Sequence, residues 1–271
     1  MKWLLLKVQM YLKLNFMKNQ IHYFLTAVLF FTRIPCPKWV NHSPEILNKS
    51  SRYFSLVGIL VGTISALTFY GASFIFNPLI AIILSCITSI WTTGAFHEDG
   101  FADVCDGFGG GWTKEKILTI MKDSRLGTYG VIGLISILSI KIVSLNELHN
   151  HLNKIPLILI SGHAISRFVA TFLLYTHEYV RDIDTAKVKP TTQKMSTKAL
   201  VISGVFGITP LIFFQDVKVF GVLIPLFLTY LYMSRLFKKW IGGQTGDCAG
   251  ALQQASEVIF YLSLLAIWKL F

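Results

Sequence analysis

The chain has 271 residues, of which 53% are hydrophobic and only 14% charged, and its formal net charge is +11. A water-soluble domain carries about a quarter charged residues, so this composition excludes one and predicts an integral membrane protein embedded in a lipid bilayer. Juxtamembrane Lys and Arg facing anionic lipid account for the basic excess, and no nucleic acid is needed to explain it.

Taken in chain order, residues 1–16 mix Lys2, Lys7 and Lys13 with apolar residues at near-helical spacing. This predicts an amphipathic helix in the membrane interface over residues 1–20. The run 21–34 is short for a span and carries Arg33, so it is expected to be re-entrant or partly inserted. Seven runs then approach the ~20 residues that cross a hydrocarbon core of about 30 Å: 54–76, 78–96, 129–146, 155–175, 199–215, 217–237 and the short 257–271. The expected architecture is all-α: a polytopic integral membrane protein of about seven transmembrane helices, forming a single membrane-embedded domain over residues 1–271. Lys and Arg gather in 35–53, 97–127, 176–198 and 238–255, all at one end of the spans, while the opposite loops hold little beyond Lys154 and Lys218. The positive-inside bias places the basic segments in the cytoplasm. Cys36, Cys86, Cys105 and Cys248 are scattered, without the paired spacing of a zinc or iron–sulfur site.

One stretch breaks the apolar pattern. "GAFHEDGFADVCDG", residues 94–107, holds Glu98, Asp99, Asp103 and Asp106 in a chain with only 14 acidic residues. If the helix of 78–96 continues through it, Asp99, Asp103 and Asp106 stand at i, i+4 and i+7 on one face. Three carboxylates on one face repel one another unless a cation sits among them, and hard oxygen donors favour magnesium (Mg2+). Two carboxylates there would read as an ordinary solvated helix end. Gly100, Gly107 and Gly109–Gly111 weaken a helix and suit a place where backbone approaches a phosphate chain, or a plain flexible turn.

Two further motifs fall at the same end. In "MKDSRLGTYG", residues 121–130, Lys122 and Arg125 offer phosphate donors. Asp123 is either another metal ligand or a brace for Arg125. In "GGQTGDCAGALQQASE", residues 242–257, a glycine turn carries Thr245 and Asp247, suited to an anion and a metal, or to a turn and a helix cap. His163 and Arg167 lie one helical turn apart inside the span 155–175, a depth at which ionisable groups face a polar interior. Together these residues suit transfer at a phosphate or pyrophosphate, and nothing has the pattern of a Walker loop.

On "FFTRIPCP", "YFSLVGILVG", "GAFHEDGFADVCDGFGGGW", "IMKDSRLGTYG" and "GGQTGDCAGA" the chain resembles the cobalamin synthase family, the adenosylcobinamide-GDP ribazoletransferases, from about residue 20 onward. The resemblance implies a magnesium-dependent enzyme that joins the corrinoid nucleotide adenosylcobinamide-GDP to α-ribazole, or to its 5′-phosphate, and releases GMP. The family pattern matches His97, Asp99, Gly100, Asp103, Asp106 and Gly107. The expected metal ligands are Asp99, Asp103 and Asp106, with Glu98 and Asp247. Lys122, Asp123, Arg125, Arg167, Thr245 and the two glycines are expected to meet substrate. The ribazole 5′-hydroxyl is the expected nucleophile, and His97 or a non-ligating carboxylate its base. The segment 181–190, "RDIDTAKVKP", departs from the small, glycine-containing one the family would place there. The expected location is the cytoplasmic (inner) membrane, with a cytoplasmic-face active site, in a homo-oligomer or a complex with other cobalamin-assembly enzymes. The rival readings are a phospholipid-type alcohol phosphotransferase, whose Ala-Arg signature is missing, and a divalent-cation transporter, which would bury its acids mid-span within inverted repeats.

Overall fold

The computed structural model describes residues 2–41, 43–180 and 195–270. The departing segment 181–190 lies outside them. No Gly or Pro interrupts residues 2–31, and helix α1 (Lys2–Phe31) accordingly runs unbroken through both the amphipathic segment and the apolar run that followed it as a separate element in the sequence reading. Helix α2 (Pro44–Ser50), capped by the Ser43 hydroxyl, passes through a short 3-10 turn into α3 (Phe54–Ser73). Helix α4 (Pro78–Thr93) starts on an Asn77 cap.

At the end of α4 the expected continuous helix does not form. Gly94 and Ala95 are both left-handed, with φ of 67° and 58°, and α5 (Phe96–Gly110) departs at 88° to α4. Two consecutive left-handed residues reverse the chain too sharply for the α ladder to continue, and only the first is a glycine, which adopts that conformation without strain. The acidic stretch is therefore a helix in its own right. Its i, i+4, i+7 register survives, but the sharp bend sets its direction.

The rest is α6 (Lys114–Ile120), α7 (Thr128–Glu147), α8 (Ile155–Thr176), α9 (Thr197–Ile212), α10 (Leu223–Ile241) and α11 (Gly246–Leu270), with 3-10 turns ahead of α8 and α10. Among the described residues five helical segments are long and apolar enough to cross a membrane, and six if the bent α4–α5 pair is counted as one. The expected span 199–215 corresponds to α9, which has only 16 residues. The expected short span 257–271 is the second half of α11, a helix of 25 residues that begins eleven positions earlier, at Gly246.

Helix α8 is the central member: 72% of its apolar window is buried, against 22% for α7. Gly58 and Gly62 allow α3 to lie directly on it, since a Cβ at Gly62 would come within 2.7 Å of the Ile160 Cα. Outward positions remain apolar, among them Ile132, Ile135 and Val143 on α7 and Ile224, Phe227 and Leu228 on α10. Ionisable side chains such as Lys141 and Arg167 point inward instead. An apolar exterior over a partly polar interior is the pattern of a multi-pass membrane protein.

Candidate active site

Two helices build the acidic face. Helix α5 carries Asp99, exposed, and Asp103, half-buried. Helix α11 begins beside it, because a Cβ on Gly100 would lie 2.9 Å from the Asp247 Cα and 3.1 Å from its carbonyl oxygen. Gly100 falls between Asp99 and Asp103 in sequence, so the backbone of the half-buried Asp247 lies against the turn of α5 that carries them. Here glycine serves close helix packing. Gly107 does the same at the other end of α5, where a Cβ would meet the Met121 side chain and, at 3.3 Å, the Ile117 carbonyl.

Asp106 has a further task that its spacing did not indicate. Its Oδ2 accepts from the Gly127 amide at 2.7 Å and its Oδ1 from the Gly130 amide at 2.8 Å. It thus caps the N-terminus of α7 from a different helix, where unpaired amides and the helix dipole favour a carboxylate. Both of its oxygens are thereby engaged in holding the tip of α7.

Glu98 also departs from the expected ligand set. It is buried and turned into the bundle, where its Oε1 accepts from Gln254 Nε2 at 2.9 Å. His97 is 2% exposed, with its ring among Phe31, Phe54 and Phe96, and neither ring nitrogen has a hydrogen-bond partner among the described residues. Consecutive residues on a helix are about 100° apart, so an outward Asp99 sends its neighbours His97 and Glu98 to other faces. A histidine enclosed in this way is not placed to take a proton at the acidic face.

Arg167 is likewise internal, 1% exposed. Its Nη1 donates to the His163 carbonyl at 2.9 Å and lies 3.2 Å from His163 Nδ1, and its guanidinium carbon is 5.7 Å from the centre of the Phe54 ring. Thr245 is buried, and its Oγ1 accepts from the Cys248 amide at 3.3 Å. That bond caps α11, and the cap falls two residues before Asp247.

Near the start of α7, Asp123 and Arg125 form the pair that the motif suggested. Arg125 Nε lies 3.1 Å from both carboxylate oxygens and Nη2 2.7 Å from Oδ2, while the Arg125 amide donates to Oδ1 at 3.0 Å. These hydrogen bonds hold the Asp123 carboxyl well below the usual range, at about 2. The carboxylate prefers the charged form in the fold, so the pair persists at neutral pH and weakens only as the pH falls toward that value. Arg125 is 87% exposed and Lys122 is exposed, so both present cationic heads to solvent.

Beneath this surface lies a polar cluster that the sequence reading missed. Lys141 Nζ is 3.2 Å from Glu257 Oε1 and 3.0 Å from Gln254 Oε1. Glu257 also receives Tyr261 Oη at 3.0 Å and Gln253 Nε2 at 2.8 Å, and its Oε2 is 3.5 Å from His163 Nδ1. Lys141 and Glu257 are each about 3% exposed or less. The available signal was a lysine inside the apolar run 129–146 together with Gln253, Glu257 and Tyr261 at successive i+4 positions, since a charge at that depth requires a partner.

Among the described residues no three His, Cys, Asp or Glu side chains converge into a ready-made metal cage. The Asp99, Asp103 and Asp247 edge still suits magnesium, which keeps several waters and is commonly bound by one or two carboxylates together with substrate phosphates.

The fold and this edge define a class: a multi-pass, all-α membrane protein with carboxylates and basic side chains gathered at one end of its helices. Residues 23–265 match the model of the cobalamin-5-phosphate synthase family, and the chain belongs to that family. It is 47% identical over 251 residues to a protein of Shewanella frigidimarina named adenosylcobinamide-GDP ribazoletransferase, covering 92% of this chain and 96% of that one. A protein of the same name from Shewanella pealeana is 46% identical, covering 92% and 97%, and one from Vibrio parahaemolyticus is 42% identical, covering 93% and 95%. No solved structure matches the chain.

Proposed function

We propose that transfer takes place on the edge formed by Asp99, Asp103 and Asp247, with magnesium held there against the substrate pyrophosphate. The activity is that of a cobalamin-assembly transferase: it joins adenosylcobinamide-GDP to α-ribazole or its 5′-phosphate, with GMP as the leaving group. The observation that carries the site reading is the seating of Asp247 against Gly100, which unites two acidic motifs separated by about 140 residues of chain.

A ribazole hydroxyl attacks the phosphorus attached to the corrinoid. One P–O bond forms, the bond to the GMP phosphate breaks, and the hydroxyl proton passes to the member of the Asp99, Asp103 and Asp247 set that magnesium, bound by one or two carboxylates, would leave free. The family description, cobalamin-5-phosphate synthase, implies a 5′ position that carries phosphate through the reaction. A phosphorylated 5′ oxygen cannot be the nucleophile, so the attacking group is another hydroxyl of the ribose, a revision of the expectation above. Bound magnesium would neutralise the pyrophosphate oxygens and stabilise the charge on departing GMP. Lys122 and Arg125 supply cationic donors from the segment that Asp106 of α5 holds through the Gly127 amide, Arg125 braced by Asp123.

The direct test is purified protein with adenosylcobinamide-GDP, α-ribazole and magnesium, following GMP release. Full turnover after exhaustive chelation would remove the metal from the reading. A second measurement addresses Arg125. Replacing it with Lys keeps the charge but loses the planar fork, and turnover is expected to fall about 10-fold. Asp123→Asn should act in the same direction, and coupling of the two losses in the double variant would mark one functional unit.

The site faces the cytoplasm of the inner membrane in this reading, where the basic segments gather. In a cysteine-free background, Glu115→Cys and Lys239→Cys should react with an impermeant thiol reagent only from the cytoplasmic side, and Asn153→Cys only from the opposite side. Labelling of Glu115→Cys from outside would separate the edge from cytoplasmic substrates and end the proposal.

A further inference from the structure

The buried Lys141–Glu257 pair joins α7 to α11, but its hydrogen bonds continue onto α5. Lys141 can only donate, which fixes the Gln254 amide oxygen toward it at 3.0 Å and turns the Gln254 NH2 group toward Glu98 Oε1 at 2.9 Å. The same NH2 group lies 2.9 Å from Gln253 Oε1, and Gln253 in turn donates to Glu257 and to the Ser166 hydroxyl of α8. Gln254 is 2% exposed. Gln254 is therefore the residue through which an interhelical charge pair grips the acidic helix. Glu98 immediately precedes Asp99, so a grip on Glu98 inside the bundle fixes the rotation of α5 that turns Asp99 outward. The Gly100–Asp247 contact sets the separation of the helices, but a glycine against backbone does little to resist rotation.

We infer that Gln254 is a positioning residue for the transfer reaction, orienting the acidic face of α5 through Glu98 without touching substrate. The inference rests on that face being the working surface.

Gln254→Glu cuts this link selectively. It keeps an oxygen for Lys141 at the same length and places a second carboxylate against Glu98. Faster amide exchange is expected in α5, with α3 and α8 unchanged, and GMP release should fall about 10-fold or more, as it does when reacting groups are misplaced by about 1 Å. Gln254→Met serves the same test if the charged variant fails to insert. The double variant Gln254→Glu with Glu98→Gln exchanges donor and acceptor across the same hydrogen bond at constant total charge, and should restore both α5 protection and turnover.

Four results would overturn the inference. Unchanged α5 protection and turnover in Gln254→Glu would show that the bond positions nothing, and an equal loss of protection in α3, α8 and α5 would make Gln254 a general packing residue. Restored protection without restored turnover in the double variant would return the Glu98 carboxylate to the chemistry. Loosened α5 with full turnover would instead sink the acidic-face reading itself, and the positioning role with it.

Discussion

Asp103→Asn is expected to abolish transfer, lowering turnover about 100-fold or more, equivalent to roughly 2.7 kcal/mol of transition-state stabilisation. Asp103 is the middle member of the α5 face, one turn from Asp99, and Gly100 brings the Asp247 backbone against the same turn. Asn preserves the shape and the helix while removing the charge a hard cation needs. The variant should insert and purify like the wild-type chain, so thermal unfolding in detergent reports an intact fold while the GMP assay reports the loss. Near wild-type turnover at saturating magnesium would take Asp103 out of the metal's shell.

The second large effect is expected from Gly100→Leu. Helix propensity alone would favour the change by up to about 1 kcal/mol, since Leu replaces Gly within a helix. Packing opposes it more strongly. The new Cβ would sit 2.9 Å from the Asp247 Cα and 3.1 Å from its carbonyl oxygen, and backbone atoms cannot rotate aside as a side chain can. Helices α5 and α11 must separate, at an overpacking cost of about 1–3 kcal/mol, and Asp247 moves off the edge it shares with Asp99 and Asp103. A lower melting temperature and a fall in GMP release of about 10-fold or more are expected. Gly71→Leu is the control, because a Cβ there meets nothing within 4 Å. Equal melting temperatures and turnover for both variants would show that α5 and α11 do not press together at Gly100.

The comparison of Glu98, Asp99 and Asp106 shows how far a local pattern reaches. Helical spacing put Asp99, Asp103 and Asp106 at i, i+4 and i+7, and α5 keeps that register. It contained nothing about the tip of α7, whose amides engage both oxygens of Asp106. Nor could it separate Glu98 from Asp99 in role, because that depends on which side of α5 the bundle occupies. The Gly94–Ala95 reversal decides this side, and a residue such as Ala95 at φ 58° is not foreseeable from its type.

By itself the sequence determined the membrane class, the all-α architecture, the basic end of the bundle and the acidic, basic and glycine motifs that carry the family resemblance. These follow from composition, apolar run length and short-range spacing, which act within a few turns of one helix. Tertiary structure alone decided the 88° departure of α5, the meeting of Asp247 with Gly100, the capping of α7 by Asp106, the enclosure of His97 and Arg167, and the Lys141–Glu257–Gln254 cluster beneath the face. Apart from the bend at Gly94–Ala95, each depends on contacts between different helices. A buried charge announces that it needs a partner, but only the packing of helices determines which one it finds.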